Sequence, residues 1–495
     1  MTAATVPVAS ANEELLRQTG SLCADCQRPI DAQVLRRGDA VVLRKRCPQH
    51  GEQEAPIAAS AAWYHEMMSY PPVLKRPQPR TEVQHGCPLD CGPCSAHEQE
   101  LKLPIVPITS ACNLDCPICY THNRSDGAYH MSESDLRAIL QHLRTAAPEA
   151  RIINLTGGEP TQHPQFQRLV ELCHEEGIHR ITISTHGLRF LKDESLLQRL
   201  AELQARVILS FDSFEPEVNK ELLGGQFLEG KLRVLSLLEK YRVDTTLLPV
   251  LCRGKNDHEL GALIRLALDK DFIRSIELHT MTFTGQSGAD FDRSARLTTY
   301  DVLCAIEAQT ARGLRLSDFV PSPAAHPLCY VVTYLLRLTD GRWLPFPRFM
   351  DRADLRTMLA GSLYLEPDGA LHDALQDVIN RLYAGEIACD ETDLVLASLK
   401  AVVGRVFDPR LDAPQRLRAA ESMAKAVYIH AHMDEETFDS DRIRTCCVGI
   451  REPDGRNLPS CAYNILYRRR DARFVSQPAP DLYTLSAGPR RGSAS

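Results

Sequence analysis

The sequence has no apolar run approaching the roughly 20 residues that a membrane span needs. Its first stretch, MTAATVPVASANEELLRQTG, lacks the basic and then apolar regions of a secretory leader. A cytoplasmic protein with no membrane span is expected. Positive charge is not in excess either: 57 Lys and Arg stand against 64 Asp and Glu, a formal charge of -7. No broad attraction therefore draws the chain to nucleic acid or to an anionic membrane. A low-complexity tract, a P-loop, a dinucleotide fingerprint and a Ser/His/Asp arrangement are all missing.

Cysteine, by contrast, is plentiful. Nine of the 17 cysteines fall in the first 119 residues. An exported disulfide scaffold would be short and would carry a leader and an even cysteine count, so thiolates held for metal explain the clustering better. With 495 residues, 44% hydrophobic and 24% charged, the chain has the make-up of an ordinary globular protein of two to four domains.

The cysteines sort into groups along the chain. Cys23-x2-Cys26 and Cys47-x2-His50 flank the alternating run Ala40 to Lys45, which fits two knuckles joined by a hairpin. Their spacing suits mononuclear zinc or a rubredoxin-like iron. The stretch Tyr70 to Arg80 holds four prolines and reads as a linker. From Leu103 onward, apolar strand candidates (104–109, 151–156, 180–184, 206–211, 244–251 and 275–281) alternate with amphipathic helices (133–145, 164–176, 194–203, 231–241 and 258–268). Six βα units with right-handed crossovers predict an α/β partial barrel, with its site at the strand C-termini. Further helices are predicted at 372–384, 391–404 and 412–433.

Directly after the first strand comes Cys112-Asn-Leu-Asp-Cys116-Pro-Ile-Cys119. Three thiolates in one tight loop can hold three corners of a cubane iron–sulfur cluster and leave the fourth iron open. Zinc is the alternative, with His122 as a fourth ligand. One βα unit later the strand ends in Thr156-Gly157-Gly158-Glu159-Pro160, where two glycines admit close approach and Glu159 offers a carboxylate to an amino group. A second loop, Cys87-Pro-Leu-Asp-Cys91-Gly-Pro-Cys94, repeats the spacing of the first and is read as a ligand set for an auxiliary cluster or as a zinc knuckle. Cys329, Cys446, Cys447 and Cys461 form a C-terminal set, open to cluster ligation or to burial as free thiols, while Cys173, Cys252, Cys304 and Cys389 are read as packing. His163, His186 and His279 lie near strand ends, and His279 is the candidate contact on the substrate side.

The three-cysteine loop followed by the Gly-Gly-Glu-Pro turn resembles the radical S-adenosylmethionine (SAM) superfamily over about residues 103 to 285. The resemblance implies that Cys112, Cys116 and Cys119 bind a [4Fe–4S] cluster and that Gly157, Gly158 and Glu159 hold the amino group of SAM. Ser184, Thr185, Ser210 and Asp212 become candidate SAM contacts, helix capping being their other reading. Reductive cleavage of SAM to a 5′-deoxyadenosyl radical and attack on an unactivated C–H bond are also implied, as is a low-potential electron donor of flavodoxin or ferredoxin type. Ile118 departs from the pattern, since many members have an aromatic residue there.

Across residues 20 to 467 the order of motifs is similar to one branch, which includes archaeal tetraether lipid synthase and the pterin-methylating enzymes of methanogens. The carrying segments are Cys23-x2-Cys26, Cys47-Pro-Gln-His50-Gly, Gly86-Cys87 through Cys94, Pro321 through Cys329-Tyr, and Cys446-Cys447 through Cys461-Ala-Tyr-Asn. Ala324 and Ala325 stand where another cysteine is expected. The branch implies one or two auxiliary [4Fe–4S] clusters and alkylation, methylation or C–C bond formation on a lipid or small metabolite. Maturation of a ribosomal peptide is a competing reading, and an iron–sulfur carrier or zinc scaffold is a non-enzymatic one. The expected layout is a flexible N-terminus (1–20), a rubredoxin- or zinc-like module (21–70), a linker with auxiliary-cluster cysteines (71–102), the partial barrel (103–315), a C-terminal auxiliary-cluster domain (316–470) and a disordered tail (471–495).

Overall fold

The computed structural model describes residues 13–79, 81–123, 128–147 and 152–485. The N-terminal module is an antiparallel sheet in sequential order, made of β1 (Glu13–Leu22), β2 (Pro29–Arg37), β3 (Ala40–Cys47) and β4 (Gly51–Ala58). Flexibility was expected through residue 20, but only residues 1–12 lie outside the described chain. From Glu13 the strand pairs with β2 along its length, and Leu22 and Val34 are fully buried. A helix, Ala61–Met68, capped by the Ser60 hydroxyl, buries Trp63, Tyr64 and Met67 beside the ribbon.

The barrel strands are β5 (Leu103–Thr109), β6 (Ile152–Gly157), β7 (Arg180–Thr185), β8 (Arg206–Ser210), β9 (Thr245–Leu248), the short β10 (Val250–Leu251) and β11 (Ile273–Thr280). β5, β6, β7, β8, β9 and β11 are parallel neighbours in that order, and β10 extends the pairing at the end of β11. Residue Arg151, expected to begin the second strand, lies outside the described residues. The intervening helices bury one stripe each: Leu136, Ile139, Leu140 and Leu143 in Glu133–Ala146 recur at helical spacing and face the core. Every strand therefore ends at the same rim, and the loops after β5 and β6 meet there.

The C-terminal part is built into the same sheet. β12 (Val320–Pro321), β13 (Tyr330–Arg337) and β14 (Trp343–Pro345) lie beyond β15 (Ala424–His430), which runs parallel to β11. At the opposite edge β16 (Val448–Arg451) runs parallel to β5 and closes a hairpin with β17 (Asn457–Pro459). The helix predicted at 412–433 is corrected: it spans Ala413–Met423 and gives way to β15. The run Ala-Val-Tyr-Ile favours a pleated strand once two neighbours are there to pair with it. Helices Gly369–Ala384 and Thr392–Val406 stand close to their predicted places. The tail is also corrected in part, since Phe474 is fully buried, Arg468 lies over its ring and Leu482 packs inward; residues 486–495 lie outside the described chain.

Candidate active site

The rim encloses a cavity of about 640 Å³. Cys112, Cys116 and Cys119 line it, together with Thr156, Gly157, Gly158, Glu159, Ser184, Thr185, Ser210 and His279, so one space collects most of the predicted site. Asp212 is not on the lining: it is buried and accepts the Val250 amide at 2.9 Å. His122 does not reach the cavity either, which leaves the zinc alternative without its fourth ligand, and among the described residues no cysteine besides the three lines the wall.

The glycines of the turn are required by the protein itself. Gly157 sits at φ +148°, and a Cβ there would fall 2.1 Å from the carbonyl oxygen of Thr109; at Gly158 it would fall 2.4 Å from that of Ala111. In return the Gly158 amide donates to Thr109 at 2.9 Å and the Glu159 amide to Ala111 at 2.7 Å. The turn thus clamps the backbone that leads into Cys112. Glu159 is likewise engaged within the protein. Its Oε1 accepts the hydroxyls of Thr161 and Thr185, both at 2.6 Å, and its Oε2 accepts the His186 amide at 2.9 Å. Ser184 donates to Asn154 at 3.1 Å. These contacts knit the ends of β5, β6 and β7 into one wall.

Burial pushes the thiols of Cys112 and Cys116 up to about 12, so they hold their protons until a cation displaces them. Lys231, fully buried on the helix Leu228–Tyr241, was missed by the sequence reading as a site residue. Its ammonium donates to the Ser210 carbonyl at 2.6 Å and hydroxyl at 3.1 Å, and burial lowers its pKa against the opposing charges of Asp212, Cys116 and Glu159.

The same cavity is also lined by a cluster of polar side chains. Glu277 and His279 project from β11, and strand register sets His279 beside His430, which in turn faces Tyr330. Glu277 Oε1 lies 3.0 Å from His279 Nε2 and 3.3 Å from His430 Nδ1, and accepts the Tyr330 hydroxyl at 2.9 Å. Burial alone would raise Glu277; the two imidazoles instead hold it well below the usual carboxylate range. Burial drives His430 down to about 4 and His432 well below its ordinary value. His432 stacks on Tyr120 with ring centres 5.2 Å apart. Of the other two histidines singled out, His186 lines the cavity beside Asn113, whereas His163 is satisfied by the Met131 carbonyl and the Gln165 amide.

Three further cysteine groups lie outside the cavity. In the ribbon, Cys23, Cys26, Cys47 and His50 bring one donor atom each within 4.8 Å of the others, because the turns after β1 and β3 open at the same end of the sheet. His50 Nδ1 is 3.4 Å from both Cys23 and Cys47 Sγ. Cys87, Cys91 and Cys94 line a small recess closed by Ile443, Arg444 and Pro459. Burial pushes Cys87 up to about 12 and raises Cys91 well above its ordinary value. Cys446 is close enough to Cys329, Cys447 and Cys461 for their charges to add to the effect of burial in raising it, and Arg442 Nε donates to Cys329 Sγ at 3.1 Å. Cys173 and Cys252 are buried as expected of packing residues; Cys304 is exposed.

A cubane cluster with one open iron fits this cavity on its donor chemistry: three soft thiol donors from one loop and, among the described residues, no fourth cysteine on the lining. Residues 106–267 match the Radical SAM superfamily and residues 15–59 the HMPTM N-terminal zinc ribbon domain. Over 496 residues, 93% of this chain and 96% of the relative, the sequence is 28% identical to a 7,8-dihydro-6-hydroxymethylpterin dimethyltransferase of Methanocaldococcus jannaschii. A GTP 3′,8-cyclase of Limosilactobacillus fermentum is 35% identical over 131 residues, 25% of this chain and 38% of that protein. Among solved structures, SuiB of Streptococcus suis bound to the precursor peptide SuiA aligns with a TM-score of 0.37 and 17% identity, covering 43% of this chain and 46% of that one.

Proposed function

Given that residues 106–267 are a radical SAM domain and the chain is a radical SAM enzyme, we propose that it methylates or otherwise alkylates an unactivated carbon of a small, polar heterocycle of the pterin kind. The observation that carries this reading is the group Glu277, His279, His430 and His432 on the lining of the cavity that also holds the three thiols. These four side chains offer hydrogen-bonding groups to a ring with several nitrogens. The relative from M. jannaschii, similar over nearly its whole length, supports the same substrate class and a methyl-transfer outcome.

In this reading Cys112, Cys116 and Cys119 hold a [4Fe–4S] cluster, and Gly157, Gly158, Glu159, Ser184 and Ser210 shape the place for SAM beside it. Bound together, cluster and SAM supply a carbon radical able to take hydrogen from an unactivated C–H bond. Lys231 places a buried positive charge against Ser210 and near Cys116, where it offsets the negative charge of the thiolates. The Glu159 network fixes the strand ends so that the loop and turn keep their spacing. Auxiliary clusters on Cys87, Cys91 and Cys94 and on the C-terminal thiols, zinc in the ribbon, and a low-potential flavodoxin or ferredoxin as donor complete the proposal.

The test is turnover of the anaerobically reconstituted protein with SAM, dithionite and 7,8-dihydro-6-hydroxymethylpterin, followed by mass spectrometry. Appearance of mono- or dimethylated pterin is expected, with one 5′-deoxyadenosine, one methionine and one S-adenosylhomocysteine per methyl group, SAM being both radical source and methyl donor and dithionite supplying two electrons. Cleavage of SAM with the pterin returned unchanged overturns the substrate assignment while leaving the enzyme class intact.

A further inference from the structure

The imidazoles that the reading above sets toward the substrate form one compact group. His279, His430 and His432 each bring one ring nitrogen within 4.8 Å of the others. Their ring centres are 4.1 to 5.1 Å apart. The arrangement is set by backbone: β11 and β15 are in register at His279 and His430, and His432 follows two residues beyond. Glu277 carries hydrogen bonds to the first two rings. A carboxylate bonded to one nitrogen of an imidazole fixes the ring's tautomer and makes the other nitrogen a better donor, as around metal-bound histidines generally. All three rings face the shared cavity, so a cation held by them would keep one side toward whatever binds there.

We propose that His279, His430 and His432 form a mononuclear site for a divalent first-row transition metal, zinc being the ion tested, with an open coordination position directed at the substrate. Bond lengths of about 2.0–2.1 Å to three nitrogens need donor separations near 3.4 Å, which rotation of the rings supplies. Three neutral nitrogens and a vacant position is a donor set found in catalytic rather than structural zinc sites. The ion would bind a heteroatom of the substrate and orient it toward the three-cysteine wall. This site is independent of the substrate's identity and of methylation.

Zinc stoichiometry and the zinc-edge X-ray absorption spectrum test it on the full-length, cluster-reconstituted protein loaded with zinc, iron being invisible at that edge. The expected result is two zinc ions per chain and a mixed first shell, with sulfur at about 2.3 Å from the ribbon site and nitrogen or oxygen in excess of its single histidine. The variant carrying His430→Ala and His432→Ala should fall to one zinc with a sulfur-rich shell, its iron and sulfide content unchanged. One zinc per chain in the parent protein with only the sulfur-rich shell overturns the proposal, as does a second zinc that survives in the variant. Should the variant lose its iron, the parent spectrum alone decides.

Discussion

The ammonium of Lys45, in the third ribbon strand, donates to the backbone carbonyl of Glu435 at 2.6 Å, just past His432 on the cavity wall. It also reaches the Glu436 carbonyl at 2.8 Å and is almost entirely buried. The ribbon is thereby tied to the loop that carries the histidines. Lys45→Met leaves both carbonyls without their donor. A loss of about 1–3 kcal/mol is expected, read as a lower urea midpoint together with faster proteolysis within residues 13–58. Equal midpoints and equal proteolysis would show that the ribbon holds its place without this contact.

A second tie gives a pH dependence. Asp439, buried at 3% exposure, pairs with Arg17 of the ribbon and accepts the Thr19 hydroxyl at 2.6 Å. Burial opposes its ionisation, but Arg17 prevails and holds the carboxyl below its ordinary value of 3.8. The folded state therefore binds fewer protons than the unfolded state in this window. The stabilisation is complete above about pH 4 and drains away as pH falls through the depressed value. Asp439→Asn should cost about 1.5–3 kcal/mol at pH 7, because Arg17, half-buried, loses one charged partner and keeps only Asp441 at 2.9 Å. Its unfolding free energy should then change less than the parent's between pH 5 and pH 3. Parallel profiles would rule out the pair as the origin.

The clamp between the turn and the cysteine loop can be broken by one methyl group. Gly157→Ala puts a carbon 2.1 Å from the Thr109 carbonyl oxygen at a φ that L side chains avoid. Overpacking of this kind costs about 1–3 kcal/mol, and the loop bearing Cys112 has to shift to relieve it. Iron content should drop, and the electron paramagnetic resonance signal of the reduced protein should respond more weakly to SAM. Full iron with an unaltered response would refute the clamp.

Replacing Cys112, Cys116 and Cys119 together by alanine should reduce 5′-deoxyadenosine formation under reducing conditions to background. Undiminished formation would remove these thiols from the chemistry. Loss of Cys87, Cys91 and Cys94 should instead leave some SAM cleavage while abolishing product.

The barrel strands were legible in the sequence to within two or three residues at their ends, because each βα unit is a local pattern of apolar run, turn and amphipathic helix. The cysteine loop and the glycine turn were equally legible, since each carries its chemistry within a few consecutive residues. What escaped was assembled at long range. His430 and His432 follow a run of helix-forming residues, Ala-Glu-Ser-Met-Ala-Lys-Ala, whose local preference runs on into β15. Only the neighbours β11 and β13 turn the chain from Ala424 onward into a strand. A usable signal was there: Glu277-x-His279 and His430-x-His432 both have the spacing of two that puts side chains on one face of a strand. Lys231 escaped for a different reason, because a lysine near the start of an amphipathic helix ordinarily faces water. Glu159 was read from its motif as a ligand for an amino group, while its four protein hydrogen bonds depend on Thr161, Thr185 and His186 being folded against it.

β15 and β16, drawn from the last quarter of the chain, cover the two flanks of the six-stranded core. A truncation that stops after β11 would leave unpaired amides and carbonyls on both outer strands, an invitation to stack with its own copies. The ribosome must therefore deliver residue 451 before the earliest barrel strand has its outer neighbour, and any attempt to express the catalytic half alone should yield aggregates instead of a smaller enzyme.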